Sequence, residues 1–226
     1  STGAQLGDDA LRAIVERSLR EKAMQRYVNV RTRISEELAS GYFSDVIGPD
    51  QMHFNLKYWA PTPRQGPEAV DKAAAGFRST AKLTEMDALL VAEDVAICIE
   101  VKGKSLRQES RGGHGIKLAD DLAKTVGAAA EQAARARELI ETNRGLQTEA
   151  GWLDLSGIRE VHSVVVTLDD LGPAGIGLDL LVRANVVKTS RVPWIVSLHD
   201  LAVIAQVVEL PAELLLYIRR RTEPNF

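Results

Sequence analysis

The alternation of apolar and polar positions divides the chain into helices and strands in mixed order. "DDALRAIVERSL" predicts a helix with Asp8 or Asp9 as cap and Leu11, Ile14, Val15 and Leu19 on one face. A second helical stretch runs to about Leu38, with Val30, Ile34 and Leu38 at four-residue spacing and Gly41 as its end. "QMHFNLKYW" alternates weakly, as a strand does, and "APTPRQGP" is a Pro/Gly loop. Two apolar runs follow, "TEMDALLVA" and "VAICIEVK", separated by Glu93 and Asp94. Beyond the basic loop "RQESRGGHG", a long alanine-rich helix is predicted from about Ile116 to Asn143, closed by Gly145. Its stripe is Leu118, Leu122, Val126, Ala129, Ala133, Ala136 and Ile140. "EVHSVVVTL" predicts a buried strand and "VPWIVSL" a short one, with closing helices at "HDLAVIAQVV" and "PAELLLYIRRR". Strands interleaved with helices point to an α/β fold.

The two apolar runs carry charges that a strand interior rarely accepts, because a buried charge is costly unless paired or metal-bound. An antiparallel hairpin turning at Glu93-Asp94 sets Leu90 opposite Ile97, Leu89 opposite Cys98, Asp87 opposite Glu100 and Glu85 opposite Lys102. Opposed residues share a sheet face, so these four charged side chains gather at one end of the sheet. A slip of one residue would scatter them. Two carboxylates about 5 Å apart repel by roughly 3 kcal/mol at an effective dielectric of 20. A shared proton, a nearby lysine or a hard divalent cation relieves this, and Mg²⁺ favours one or two carboxylates completed by waters and phosphate oxygens. Asp87 and Glu100 as ligands beside Lys102 therefore suggest metal-assisted phosphodiester hydrolysis. The same residues also suit an ordinary strand ion pair, worth about 0–1 kcal/mol. The apolar context of "AICIEVK", that of an interior strand, favours the site.

Composition narrows the class further. The 226 residues, 45% of them hydrophobic and 26% charged, suit one large domain. That domain is expected over 1–226, with an N-terminal helical part at 1–45, an α/β core at 50–200 and C-terminal helices at 200–226. A formal charge of −3 leaves no global attraction to polyanions, so nucleic acid would have to meet a local basic patch. Lys104, Arg107, Arg111 and Lys117 supply one, directly after the Lys102 strand. Cys98 is the single cysteine, which excludes a disulfide scaffold and suits a reducing, cytoplasmic setting. The most apolar late segment, "LAVIAQVVELPAELLLYI", contains two glutamates and a proline, so no membrane span is expected. The start "STGAQLG" lacks methionine, which leaves room for a missing neighbouring domain or partner subunit beside a homodimer.

The string "TEMDALLVAEDVAICIEVKGKS…RGGHGIKLADDLAKTVGAAAEQAARARELI" resembles the PD-(D/E)xK restriction-endonuclease-like phosphodiesterases, and more closely their nuclease-related-domain (NERD-like) branch. Asp87, then Glu100-Val101-Lys102, then an Arg-Gly loop and a helix with a Glu-Gln-Ala segment follow in the order of that branch. The likeness covers about 84 to 221, and Met86 stands where the family name has its proline. It implies a restriction-endonuclease-like mixed sheet flanked by helices and a Mg²⁺- (or Mn²⁺-) dependent nuclease acting on DNA through a metal-activated water, in a bacterial defence or repair setting. It assigns Asp87, Glu100 and the Val101 carbonyl to the metal, Lys102 to catalysis, and Gln132 to the glutamine that relatives carry on the following helix. It also implies a glutamate from an N-terminal helix: Glu37 is placed in support beside Glu85, with Glu36 and Glu16 open as alternatives. A nuclease fold that binds nucleic acid or a partner without cutting is the other reading.

Other signals carry less. "KGKS" lacks the first glycine of a phosphate loop, Cys98 standing in its place. His53, His114, His162 and His199 are scattered without ligand spacing. Asp169 and Asp170 suit a turn, and Arg219, Arg220 and Arg221 suit either a second basic patch or a helix C-terminus.

Overall fold

The computed structural model describes residues 21–48, 52–61, 81–103, 123–168 and 192–222. The predicted helix at 8–19 and the basic loop with Lys104, Arg107, Arg111 and Lys117 lie outside the described residues. In chain order the elements are α1 (Glu21–Ile47), β1 (Met52–Pro61), β2 (Ala81–Ala92), β3 (Val95–Lys102) and a π-helical turn (Ala123–Gly127) leading into α2 (Ala128–Asn143). Then come β4 (Gly145–Thr148), β5 (Gly151–Asp154), β6 (Glu160–Thr167), β7 (Trp194–Ser197), α3 (Leu198–Val207) and α4 (Pro211–Thr222). The strands form one seven-stranded sheet in the order β5-β4-β1-β2-β3-β6-β7. Its first five members pair antiparallel, and β3-β6 and β6-β7 pair parallel. The protein is thus α/β, with a mixed sheet between helices.

Each face of the sheet has its own core. On one face Ala88, Leu90, Ile97, Ile99, Val164 and Val166 meet Ala39 and Phe43 of α1, Leu201 of α3, and Leu214 and Ile218 of α4. On the other, Leu89, Ala96, Cys98 and Val161 meet Ala136, Leu139 and Ile140 of α2. The strands at the centre are valine- and isoleucine-rich because they are covered on both sides. Ala129, Ala130, Ala133 and Ala136 are all buried, and their small side chains let α2 lie close against β3 and β6. Each large aliphatic side chain so enclosed contributes about 1.5–3 kcal/mol.

Three expectations change. First, α1 does not stop at Gly41 but continues to Ile47, because Phe43 and the partly buried Val46 and Ile47 still have core to pack against. Its buried side is Ser35, Ala39 and Phe43, while Val30, Ile34 and Leu38 face solvent. Second, the cap of α2 is Arg144, in the left-handed region (φ 56°), with its N–H donating to the Ile140 carbonyl at 2.9 Å. Gly145 instead opens β4, where any Cβ would strike the Leu153 carbonyl and the Trp152 ring. Third, β4 and β5 form a hairpin that four-residue segments without clear alternation did not announce.

Two of the C-terminal arginines, Arg219 and Arg221, have structural partners. Arg219 makes a fork to both oxygens of Glu160 (2.6–3.0 Å), holding that carboxyl below its usual range and fastening α4 to β6. His162 meets Glu160 from its other side at 2.6 Å, and burial pulls its pKa down. Arg221 stacks over Tyr217.

Candidate functional site

The hairpin register is the one predicted: Ala92 faces Val95, Leu90 faces Ile97 and Leu89 faces Cys98, turning at Glu93-Asp94. Pairing stops, however, at Ala88 and Ile99, one step short of Asp87 and Glu100. The reason lies on the other side of β2. There the register runs Phe54–Ala88 and then Leu56–Met86, passing over Asn55 and Asp87. Asn55 is in the left-handed region (φ 48°), which asparagine tolerates better than most residues. With one residue passed over in each strand, the buried faces exchange. Met52, Ala88 and Leu90 belong to the α1 face, whereas Tyr58, Ala60 and Met86 belong to the α2 face. From Met86 back, β2 follows β1 and leaves β3.

Asp87 therefore sits in the fork of a splayed hairpin, not as a cross-strand partner of Glu100. Its Oδ2 accepts the Val101 N–H at 2.5 Å, at the point where the ladder would have continued. A strand residue sends its N–H and C=O to the same side, so the Val101 carbonyl also faces this fork. The Lys102 carbonyl faces the opposite way and accepts the Leu168 N–H at 3.3 Å.

Glu100 and Lys102 project from the same face of β3 beneath α2. The Lys102 Nζ donates to Glu100 Oε2 (3.2 Å) and to Gln132 Oε1 (3.0 Å). Glu100 is only 2% exposed, and Lys102 24%. Gln132 lies one turn from Ala129 and Ala136 on the buried stripe of α2, which aims it at the sheet. Asp87, Glu100, Lys102 and Gln132 thus lie at one sheet end, without the Asp87–Glu100 and Glu85–Lys102 oppositions that the sequence predicts.

The glutamates sort differently. Gly103 directly follows Lys102, and a Cβ there would come within 2.7 Å of the Thr32 hydroxyl and 2.9 Å of Thr32 Cα. This close approach presses α1 onto the end of β3, and Glu36 is one turn beyond Thr32. Glu36 is half-buried, and its charge interacts with Asp87, Glu85, Glu100 and Lys102. Glu37 faces solvent in an exposed pair with Arg33 at 2.6 Å, away from the cluster. Glu85 is exposed and stands opposite Lys57 of β1, not opposite Lys102, though its charge still reaches Asp87 and Glu36. The third carboxyl of the cluster is Glu36, set there by the seat of α1 on Gly103. Glu16 lies outside the described residues.

Burial, together with an excess of carboxylates over cations, raises the pKa values of this cluster. Burial, then the charge of Asp87, pushes Glu100 up to about 8 despite the opposing Lys102. Asp87 is raised by burial, with the Val101 N–H and Lys102 opposing; Glu36 is raised by burial and by Asp87 and Glu85. Among the described residues no group of three or more His, Cys, Asp or Glu side chains is arranged to hold a metal. What the fork offers is smaller: Asp87 Oδ1 and Glu100 Oε1, which make no hydrogen bond among the described residues, and the Val101 carbonyl. Two carboxylate oxygens and one carbonyl, in a cluster short of positive charge, fit a Mg²⁺ completed by water and substrate oxygens.

Comparison of the chain with family models, with curated proteins and with solved structures finds no match.

Proposed function

We propose that this chain is a divalent-metal-dependent nuclease of the restriction-endonuclease-like type, hydrolysing phosphodiester bonds of DNA. One observation carries the reading: Asp87, Glu100, Lys102 and Gln132 converge on a splayed sheet end, with one oxygen of each carboxylate making no hydrogen bond among the described residues. The resemblance of "TEMDALLVAEDVAICIEVKGKS" to the PD-(D/E)xK pattern supports it from the sequence side. In this reading Asp87, Glu100 and the Val101 carbonyl hold Mg²⁺ or Mn²⁺. The cation, when bound, supplies Lewis-acid polarisation of the phosphoryl group and a lowered pKa for water. Lys102, steered by Gln132 and Glu100, orients the attacking water and offsets charge building on the phosphate. Glu36 adds negative charge on the α1 side of the cluster, which would favour a bound cation. The protein acts in the cytoplasm, where Cys98 stays reduced and buried. Among the described residues no helix is long and apolar enough to cross a membrane.

Incubating the purified chain with single- and double-stranded DNA and RNA, in Mg²⁺, Mn²⁺ or EDTA, tests the reading. Metal-dependent cleavage of DNA is expected, lost in Asp87→Ala and in Lys102→Ala. Binding without cleavage under every condition would instead favour a non-cutting nucleic-acid-binding module.

A further inference from the structure

Among the described residues, three that are not glycine have a left-handed backbone: Asn55, Glu93 and Arg144. Two of them stand where an element ends. Glu93 lies in the turn between β2 and β3, and Arg144 caps α2, places where this conformation is ordinary. Asn55 instead stands inside β1, a ten-residue strand, where no turn or cap asks for it. A residue held in a sparsely populated region persists only where its surroundings impose it, and such residues gather at functional sites. Asn55 lies opposite Asp87, and theirs is the one position that the β1–β2 register passes over between Met52–Leu90 and Pro61–Ala81. Tyr58, Ala60 and Met86 reach the α2-face core through this exchange of faces, and their burial holds Asn55 in its strained form.

We propose that Asn55 is a positioning residue for the cation site: its left-handed backbone turns Asp87 out of the β-ladder and frees the Val101 carbonyl, so that both face one cation with Glu100. The inference rests on the metal-dependent reading above. Strict alternation from Leu89 would carry Asp87 onto the α2 face opposite Glu100, and Glu85 opposite Lys102. The same continued register would set Met86 opposite Val101. The Val101 N–H and carbonyl, which face β2, would then both be taken by the ladder. With the faces exchanged at Asn55, Met86 turns into the α2-face core and Asp87 Oδ2 accepts the Val101 N–H in its place. Asn55 touches neither cation nor substrate in this account and acts through Asp87. Asparagine and glycine enter the left-handed region most readily, alanine less so, and a β-branched valine least.

Asn55→Gly, Asn55→Ala and Asn55→Val in the full chain test it through two readouts. The first is DNA cleavage against Mg²⁺ concentration. Asn55→Val should need about tenfold or more Mg²⁺ for half-maximal rate, the range for residues that orient metal ligands. Asn55→Gly should stay within about twofold of the wild type, because glycine takes a positive φ without strain. The second readout needs no activity: the NMR signal of the Val101 amide in valine-labelled protein, with Asp87→Ala as the reference for loss of its carboxylate partner. Asn55→Val should move that signal toward the reference, and Asn55→Gly should leave it in place. Asn55→Ala carries both readouts if Asn55→Val fails to fold. A wild type that cuts no DNA would sink the nuclease reading, while the Val101 amide still judges the role of Asn55. The proposal is overturned by an Asn55→Val with an unmoved amide, or with a moved amide and wild-type Mg²⁺ dependence. An Asn55→Gly as impaired as Asn55→Val would also overturn it, since the side chain and not the backbone would then be at work.

Discussion

The Lys102 ammonium of β3 meets the Gln132 side-chain oxygen of α2 at 3.0 Å, joining two elements 30 residues apart in sequence. Lysine carries only donors, so the amide oxygen must be the atom that faces it. The contact fixes where the positive charge stands relative to Glu100, which holds the same ammonium at 3.2 Å.

Gln132 is on this account a positioning residue and Lys102 a catalytic one. Lys102→Ala should lower the single-turnover cleavage rate by roughly 10²–10⁴-fold, the range for a positioned proton-transfer or charge-stabilising group. Gln132→Ala should cost about tenfold, with Gln132→Glu partly restoring the rate because its carboxylate still accepts from Lys102. A Gln132→Ala loss as large as that of Lys102→Ala would contradict the division of roles.

Glu100 gives the protein an acid-favouring stability profile. Its folded pKa, up to about 8, exceeds the ordinary value of 4.5, so between those values the folded state holds a proton that the unfolded state has released. Stability then falls as pH rises through this window, by an amount on the order of a few kcal/mol, and the penalty is complete above it. Asp87 and Glu36, both raised, act in the same direction. Denaturant melts from pH 5 to 9 should show this slope, and Glu100→Gln should flatten it while stabilising the protein at pH 9. Mg²⁺, by favouring the ionised carboxylates, should also flatten it and should draw the pH-rate profile to lower pH. A Glu100→Gln variant with an unchanged slope would show that the carboxyl is not the source.

Gly103 controls the seat of α1. The contact with Thr32 Cα is to backbone, which cannot rotate away, so Gly103→Ala must displace the helix or the strand end. A loss of about 1–3 kcal/mol in chemical denaturation is expected, as for overpacking of a well-filled site. Activity should fall further than stability explains, because Glu36 moves with the helix. Unchanged melts and rates would contradict this role.

Glu36 and Glu37 are adjacent in sequence and opposite in consequence. Glu36→Gln should raise the Mg²⁺ concentration needed for half-maximal cleavage and shift the pH profile to lower pH. Glu37→Gln removes only an exposed i,i+4 pair with Arg33, worth about 0.3–0.5 kcal/mol. An effect on metal dependence from Glu37→Gln alone would reverse the assignment.

The hairpin and its charged end were legible because strand alternation and a two-residue turn fix register over a short span. Leu90–Ile97 and Leu89–Cys98 follow from that arithmetic alone. What the arithmetic missed is Asp87 leaving the ladder, since the cause is a paired irregularity with Asn55, 32 positions earlier, whose left-handed backbone leaves no pattern in β2. The packing side of α1 was not legible for a related reason. Val30, Ile34 and Leu38 are the more apolar side, but the side that packs is chosen by Ala39, Phe43 and the room beside Gly103. Choosing between Glu36 and Glu37 needed that same rotation of the helix. Periodicity gave the strands and helices of the centre, while β4 and β5 were too short to register.

The central claim is that Asp87 and Glu100 hold a divalent cation through which this fork cuts phosphodiester bonds. The most direct measurement is the rate of DNA cleavage against Mg²⁺ concentration for the wild type and for Asp87→Asn, a variant that keeps the side chain's shape. The account predicts a saturable, EDTA-abolished rate for the wild type and, for Asp87→Asn, cleavage lost or restored only at far higher Mg²⁺. Equal metal dependence in the two proteins, or wild-type cleavage that persists in EDTA, would contradict it.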